Sequence, residues 1–458
     1  MDIDFTSLFK PKSIAFFGAK ESRAGLILPY KEMNFPGKLF LLSDTEDEVF
    51  GLKCWKSVFD FPDAIDLAII SLRNEDVPQA IKDCQKKGVK FAIIFTAGFG
   101  EKDRHGKDLE GKILQIIKDG GPRIIGPNCM GVYCPEGRIG FVPDFPTESG
   151  PVAFLSQSGG LAIEFIFDGM HRGFRFSKVV SIGNSIDLSI LDFLAYLDSD
   201  PQTKVICIYI EGIGNGQKLT KILKNMNKPV VFLKGGKTVI GKRAVKSHTG
   251  ALSGNLNIWN AISNQTKAIF VENLMELQDC ALSFTYSQFI PRSKKVALIN
   301  ASGGGSVLET DACSTVVELP QFSTQVKKVL KKYYPAWVTP QNPLDLPATY
   351  RKPRLIGIFE VLATADIDLV ILTIPARVAD PYWDKIRENN VQLYLNNVIK
   401  GGNILKAHKK LFFISIPPSY FYKEREMLRN AFLQEGFPVF DSAYNAAKAF
   451  LKLYDFYK

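Results

Sequence analysis

Three times this chain runs a short β-branched or aromatic strand straight into a turn of small residues. The runs are Ser13-Ile14-Ala15-Phe16-Phe17-Gly18-Ala19, Val152-Ala153-Phe154-Leu155-Ser156-Gln157-Ser158-Gly159-Gly160 and Val296-Ala297-Leu298-Ile299-Asn300-Ala301-Ser302-Gly303-Gly304. Each is followed by a longer amphipathic stretch, the pattern of βα units in a parallel sheet. An α/β fold is therefore expected. The second and third runs share Val-Ala, two apolar residues, two variable ones and Ser-Gly-Gly. That is either a common opening of parallel-sheet domains or the trace of a duplicated flavodoxin-like domain.

Two stretches interrupt the alternation. Pro143-Asp144-Phe145-Pro146-Thr147-Glu148-Ser149-Gly150-Pro151 is a proline- and glycine-bearing linker, and Ile290-Pro291-Arg292-Ser293-Lys294-Lys295 is a second break. The chain of 458 residues is then expected to form three domains, 1–145, 151–290 and 295–458, each of ordinary size. In the first, strands are expected at Ile14–Phe17, Leu39–Leu42, Leu67–Ser71, Phe91–Phe95 and Arg123–Ile125, with helices at Pro78–Lys87 and Lys107–Asp119. Such an array places its ligand crevice at the carboxyl ends of the strands.

Composition excludes several functions. No apolar stretch approaches the roughly 18 residues that span a bilayer, and Met1-Asp2-Ile3-Asp4-Phe5 lacks the order of a signal peptide. A cytoplasmic protein with no membrane partner is expected. The net charge of +10 favours anionic ligands, but the lysines are dispersed. No basic cluster with stacking aromatics marks a nucleic-acid surface. The seven cysteines are scattered, and Cys129 with Cys134 forms one isolated C-x4-C. Four histidines, equally dispersed, give no zinc pattern. No protein-held metal is expected.

The glycine-rich turns differ in what they say. Gly18-Ala19-Lys20 has lysine where a dinucleotide fingerprint needs its second glycine, so a nicotinamide or flavin site is disfavoured. The turn remains a seat for phosphate on a helix N-terminus, or a structural connection. Gly236-Lys237-Thr238 is not a P-loop, because Val231 stands where its first glycine belongs. Ser156-Gln157-Ser158-Gly159-Gly160 puts two hydroxyls and two glycines before a helix that includes Leu161-Ala162-Ile163-Glu164-Phe165. Backbone N–H groups of Ser158, Gly159 and Gly160, with the Ser156 and Ser158 hydroxyls, make an anion pocket there. Capping alone would need one serine.

His248 sits in Lys246-Ser247-His248-Thr249-Gly250-Ala251-Leu252-Ser253-Gly254, among small residues with no apolar stripe. That context suits a mobile loop and a histidine that acts as nucleophile toward phosphoryl groups, although a satisfied structural histidine has the same local sequence. Val205-Ile206-Cys207-Ile208-Tyr209-Ile210 is a buried-type strand, and Glu211 at its carboxyl end is either the carboxylate that orients the imidazole or a loop cap.

Taken together, these pieces resemble the ADP-forming acyl-CoA synthetases, relatives of succinyl-CoA synthetase. The resemblance is carried by Ala97-Gly98-Phe99-Gly100-Glu101, Gly126-Pro127-Asn128-Cys129-Met130-Gly131, Ser156-Gln157-Ser158-Gly159, Ser181-Ile182-Gly183-Asn184 with Asp187, Tyr209-Ile210-Glu211-Gly212-Ile213 and Lys246-Ser247-His248-Thr249-Gly250. It continues more weakly through Asn342-Pro343-Leu344-Asp345 and Thr373-Ile374-Pro375. It implies an N-terminal Rossmann-like CoA-binding domain and two flavodoxin-like domains. It also implies a phosphorylated His248 steadied by Glu211, and a phosphoryl seat at Ser156, Ser158, Gly159 and Gly160. CoA would meet Gly18, Ala19, Lys20, Ser71, Arg73, Asn128 and Cys129.

The implied reaction joins acyl-CoA, phosphate and ADP to carboxylic acid, CoA and ATP through an acyl phosphate and phospho-His248. Nucleotide and Mg²⁺ would be held by an ATP-grasp domain, for which no stretch remains. A β subunit carrying it is therefore expected, in an α2β2 assembly. The chain departs from the family at Lys20, at Ser43-Asp44 and at Ser71-Leu72-Arg73-Asn74, where relatives carry a serine, Asn-Pro and a proline-containing turn. It departs again at Ile416-Pro417-Pro418, where they tend to have a glycine pair. Lys20 and Arg73 either pair with CoA phosphates or mark a changed ligand. The second reading is a non-catalytic relative that binds CoA or regulates a partner.

Overall fold

The computed structural model describes residues 3–249, 256–346, 354–382 and 391–458, with the main chain only for residues 247–249, 256 and 354. The chain divides into two compact units, Met1–Leu277 and Gln278–Lys458.

The first unit holds two sheets. Its strands are β1 (Ser13–Phe17), β2 (Lys38–Leu42), β3 (Glu48–Val49), β4 (Leu52–Trp55), β5 (Leu67–Ile70), β6 (Phe91–Ile94), β7 (Arg123–Ile125), β8 (Gly131–Tyr133), β9 (Ser149–Ser156), β10 (Phe176–Ser181), β11 (Val205–Ile210), β12 (Val230–Lys234) and β13 (Ile269–Val271). Seven strands form one sheet in the order β3, β4, β2, β1, β5, β6, β7, and six form the other in the order β13, β12, β11, β9, β10, β8. Pairing is parallel except for β3 with β4 and β8 with β10. The expected strands of the N-terminal region are present, and β3 and β4 extend the sheet beyond β2. The expected helices are there too, as Val77–Lys87 and Arg104–Lys118.

The central strands β1, β5, β6, β11 and β12 are almost wholly apolar and buried, as in parallel sheets covered on both faces. β5 and β6 are buried at every position. One hydrophobic cluster runs from Ile14, Leu67 and Phe91 of the first sheet to Leu155, Val180 and Ile208 of the second. Phe5 and Phe9 pack on Phe193 and Tyr196, with ring centroids 4.9 Å apart for Phe5–Phe193 and 5.4 Å for Phe9–Tyr196. Each fully buried side chain of this size contributes about 1.5–3 kcal/mol. Beside them the buried Lys178 ammonium meets the Asp200 carboxylate at 2.8 Å.

The helix Gly159–Arg172 shows how local sequence fixes the site. Ser158 caps its start, accepting from the Leu161 N–H at 3.4 Å, and Gly173 ends it at φ +87°. Ala162, Phe165, Ile166 and Gly169 are its buried stripe. Phe165 stacks on Phe154 of β9 with centroids 4.2 Å apart, which holds the helix start against the strand end.

The second unit carries β14 (Val296–Asn300), β15 (Leu344–Asp345), β16 (Leu369–Thr373), β17 (Leu411–Ser415) and β18 (Val439–Phe440), all parallel, in the order β15, β14, β16, β17, β18. No helix among the described residues is long and apolar enough to cross a membrane.

Candidate active site

In the first sheet the strand ends are stitched into one ledge. Gly18, directly after β1, has φ +84°, and a Cβ there would lie 2.4 Å from the Ser71 carbonyl oxygen. Only glycine allows that approach. The N–H groups of Gly18 and Ala19 donate to the Leu42 carbonyl at 3.1 and 2.8 Å, and that of Ser71 donates to Phe17 at 3.0 Å. Thr96 Oγ1 donates to the Leu72 carbonyl at 2.8 Å and accepts its N–H at 3.1 Å. The Asn128 N–H closes the series on the Thr96 carbonyl at 3.0 Å. Arg23, an ordinary basic residue by sequence, donates from Nη1 to Gly18 O at 2.6 Å and to Ser71 O.

The expected CoA residues all stand on this ledge but present different groups. Ala19 and Cys129 are buried, 2% and 4% exposed. The Cys129 thiol faces the Ile94 and Ile125 carbonyls at 3.4 and 3.6 Å, and burial pushes its pKa up to about 12. It supports the turn from below. Asn128 takes φ +58° after the cis Gly126–Pro127 bond. Lys20 is exposed. Arg73 is exposed and paired with Asp76 at 2.9 Å.

The segments around Gly126–Gly131 and Ser181–Asp187, distant in sequence, pack on one another. A Cβ on Gly183 would lie 2.3 Å from the Pro127 carbonyl oxygen. The Asn184 N–H donates to that carbonyl at 2.9 Å, and the Met130 N–H donates to Ser181 Oγ at 3.0 Å. Asp187 takes the Arg123 guanidinium at 2.8 Å and the Ile124 N–H at 2.8 Å. Asn184 Nδ2 reaches Glu101 Oε2 at 2.5 Å, and Glu101 also accepts the Gly98 N–H at 2.6 Å. Burial raises the Glu101 carboxyl, but these donors outweigh it and hold it below the usual carboxylate range.

At the end of β9 the two serines do different jobs. Ser156 is fully buried, donating from Oγ to the Ser158 carbonyl at 2.6 Å and accepting the Ser158 N–H at 3.1 Å. Its hydroxyl is spent within the turn, as is the Ser158 N–H. The Gly159 and Gly160 N–H groups lie in the first helical turn, where the helix supplies no carbonyl for them. A Cβ on Gly159 would strike Met130 Cγ at 2.6 Å, whereas Gly160 is open.

Gln157 reaches across to β11. Its Oε1 accepts the Glu211 N–H at 2.5 Å and the Gly212 N–H at 3.1 Å, while Nε2 donates to the Gly212 carbonyl at 3.1 Å. The Glu211 side chain is buried, 3% exposed, and accepts from Tyr209 OH at 3.0 Å. Burial, then the Glu211 charge beside it, raises the Tyr209 phenol. Lys234, the last residue of β12, donates from Nζ to the Glu211 carbonyl at 2.7 Å and to the Gly235 carbonyl. Burial lowers the Lys234 ammonium to about 8, against the pull of Glu211.

From β12 the chain turns into the helix Val239–Thr249, whose last turn contains His248. The expected loop is thus helical up to Thr249, because Lys242, Arg243, Ala244 and Lys246 are good helix formers that carry the helix through Ser247. The imidazole itself, and Gly250-Ala251-Leu252-Ser253-Gly254 of the same motif, lie outside the described residues.

The ends of β9, β11 and β12 therefore bring together an open helix N-terminus, a buried carboxylate and a buried ammonium. Arg23, Gln157 and Lys234 were missed in the sequence. Gln157 alone had a signal, its place between the two serines.

Two family models match the chain: a CoA binding domain over residues 12–135, and a succinyl-CoA ligase like flavodoxin domain over residues 149–284. The acetate–CoA ligase (ADP-forming) II subunit alpha of Pyrococcus furiosus is 34% identical over 375 residues, covering 79% of this chain and 80% of that protein. The 4-hydroxybutyrate–CoA ligase (ADP-forming) of Nitrosopumilus maritimus is 37% identical over 74% of this chain. This chain spans 50% of that relative's length, and 54% of the acetate–CoA ligase (ADP-forming) II of Archaeoglobus fulgidus, to which it is 33% identical. A solved acetyl-coenzyme A synthetase 1 from Ca. Korarchaeum cryptofilum, in complex with phosphate and ADP, superposes with a TM-score of 0.84 at 27% identity. It covers 99% of this chain and 97% of that one.

Proposed function

As the chain belongs to the family of ADP-forming acyl-CoA synthetases, we propose that it is the CoA-binding and phosphohistidine-bearing part of such an enzyme. It would be partnered in the cytoplasm by an ATP-grasp β subunit in an α2β2 assembly. The observation that carries this reading is the Gln157 bridge, which fixes the start of the helix Gly159–Arg172 and Glu211 in one frame. The proposed three-domain division is 1–145 for CoA, 151–290 for the phosphoryl site and 295–458 for a second flavodoxin-like domain.

In the proposed reaction phosphate attacks the thioester carbonyl, forming acyl phosphate and releasing CoA thiolate, which takes up a proton. The helix N–H groups of Gly159 and Gly160 hold the phosphoryl oxygens and offset their charge. An unprotonated nitrogen of His248 then attacks phosphorus, and the carboxylate leaves as the free acid. Glu211 holds the other ring N–H, which keeps the correct tautomer and favours the charged phosphoimidazole. ADP finally takes the phosphoryl group from His248. Mg²⁺ would accompany the nucleotide on the partner.

On the CoA ledge, Gly18, Ala19 and Asn128 would offer main-chain groups and Lys20 a charge for phosphate. Arg73 would have to leave Asp76 to join them. Cys129 would act by shaping the turn. The test is reconstitution with the β subunit of the Pyrococcus furiosus relative or a cognate one: phosphate alone must support release of at most about one equivalent of CoA from acetyl-CoA per chain, and sustained release must require phosphate and ADP together. Sustained CoA release without ATP formation would point to a thioesterase and contradict the reading.

A further inference from the structure

Glu211 is buried, and a buried carboxylate is costly unless hydrogen bonds and opposite charge hold it. The ends of β11 and β12 supply both. Glu211 follows β11 directly, two residues after Tyr209, so the two side chains leave the same face of the sheet. The phenol donates to Glu211 Oε1 at 3.0 Å. Tyr209 is itself pinned, in register with Ser156 of β9 and with its carbonyl accepting the Gln157 N–H at 3.3 Å.

The neighbouring strand makes room for this bond. Gly235 follows β12, and a Cβ there would lie 2.7 Å from the Tyr209 hydroxyl and 3.4 Å from Glu211 Cγ. A side chain at that position would push the phenol off the carboxylate. The Gly235 N–H donates to the Ile210 carbonyl at 2.8 Å, which keeps this bare stretch of main chain against the pair.

Lys234 acts from the other face. It pairs in register with Ile210, so its side chain leaves the sheet opposite to Tyr209 and Glu211. It is 4% exposed, with its ammonium 5.7 Å from the centroid of the buried Trp259 ring. From there Nζ donates to the Glu211 carbonyl at 2.7 Å and to the Gly235 carbonyl. One buried cation thus clamps the main chain of both residues. Burial disfavours the ammonium, and the Glu211 charge is what pulls in its favour.

We propose that Tyr209 and Lys234 are positioning residues for phosphoryl transfer to His248, both acting through Glu211. Tyr209 fixes the rotation of the carboxylate, while Lys234 fixes the main chain that carries it and balances its charge. The inference rests on the proposed role of Glu211 as the partner of the imidazole. Each residue then matters only while there is a carboxylate to position.

The test is a double-mutant cycle on the full chain with an ATP-grasp partner and Mg²⁺. γ-Labelled ATP passes its phosphoryl group to a ring nitrogen of His248 and leaves as ADP. The first-order rate of labelling is followed for hours where needed, so that slow variants are still read. Tyr209→Phe and Lys234→Met are each made alone and together with Glu211→Gln. Alone, Tyr209→Phe is expected to slow labelling about tenfold and Lys234→Met about a hundredfold, with KM for ATP unchanged. On top of Glu211→Gln, each is expected to cost less than about twofold. A residue that merely supports the fold would slow labelling alike in both backgrounds, and that result overturns the proposal. So does a wild-type rate in Tyr209→Phe, which removes a single oxygen at a half-buried position and decides the matter if Lys234→Met does not fold. Unaffected variants beside a wild type that labels overturn this inference alone. A wild type that takes no label overturns the reading beneath it as well.

Discussion

The side-chain amide of Gln157 is bonded to the main chain that carries Glu211, accepting the Glu211 N–H at 2.5 Å and exchanging two further bonds with Gly212. The turn proposed to hold phosphate and the strand end proposed to orient the histidine are thereby tied to one another. Gln157→Ala leaves the Glu211 N–H without its acceptor inside the fold. The expected loss is about 1–3 kcal/mol of stability, read by urea denaturation, together with at least a tenfold slower phosphorylation of the chain. An unchanged rate at reduced stability would make Gln157 a purely structural residue.

Arg23 bridges the carbonyls of Gly18 and Ser71 with one nitrogen, tying the turn after β1 to the turn after β5. Arg23→Ala is expected to raise KM for CoA by about tenfold with a smaller change in kcat, because binding is lost and chemistry is spared. Arg23→Lys restores less than half of the loss in free energy, since the more strongly hydrated ammonium is costlier to desolvate at this part-buried position. Steady-state kinetics at varied CoA, with the β subunit present, distinguishes these outcomes.

Lys178 and Asp200 form a buried pair, 2% and 9% exposed at the side chain. Burial alone would raise the Asp200 carboxyl; the bonds from Lys178 and Thr203 outweigh it, and the pKa is lowered below its ordinary value. A carboxyl lowered on folding contributes stability that is complete above the unfolded pKa of about 3.9. That contribution is lost as pH falls through the folded value. Lys178→Met, which strands the carboxylate, is expected to cost about 3–5 kcal/mol at pH 7. The difference between wild type and Asp200→Asn should hold steady from pH 7 to 5 and shrink below pH 4. Urea titrations across that range measure it.

All seven cysteines are buried, and none of them forms a disulfide. Burial pushes the Cys129 and Cys313 thiols up to about 12, so their reactive thiolates are scarce near neutral pH. Ellman's reagent at pH 8 is expected to titrate fewer than one thiol per native chain and seven in urea. Rapid native labelling of Cys129 would contradict the placement of that residue beneath its turn.

Much of this architecture was legible because it rests on local sequence. The strand cores Ile14–Phe17 and Phe91–Ile94 are apolar and β-branched or aromatic, and Gly18 marks a turn that no larger residue could make. What the sequence hid depends on partners far along the chain. Arg23 is an ordinary basic residue until the fold sets it between Gly18 and Ser71, 48 residues further on. Lys234 looks like the polar end of a strand until its ammonium is buried under the Glu211 carbonyl. β3 and β4 are short, at two and four residues, too brief for a period to show. The His248 segment read as a loop because Ser, Thr and Gly are poor helix formers. The preceding Lys242–Lys246 run decided otherwise by carrying the helix through.

The central claim is that His248 carries phosphate, and its most direct test is the phosphoenzyme itself. The chain with an ATP-grasp partner, Mg²⁺ and γ-labelled ATP should acquire acid-labile, base-stable label. That label should be absent in His248→Ala and should be discharged by ADP. Label that persists in His248→Ala, or none in the wild type beside a partner shown to bind ATP, would contradict it.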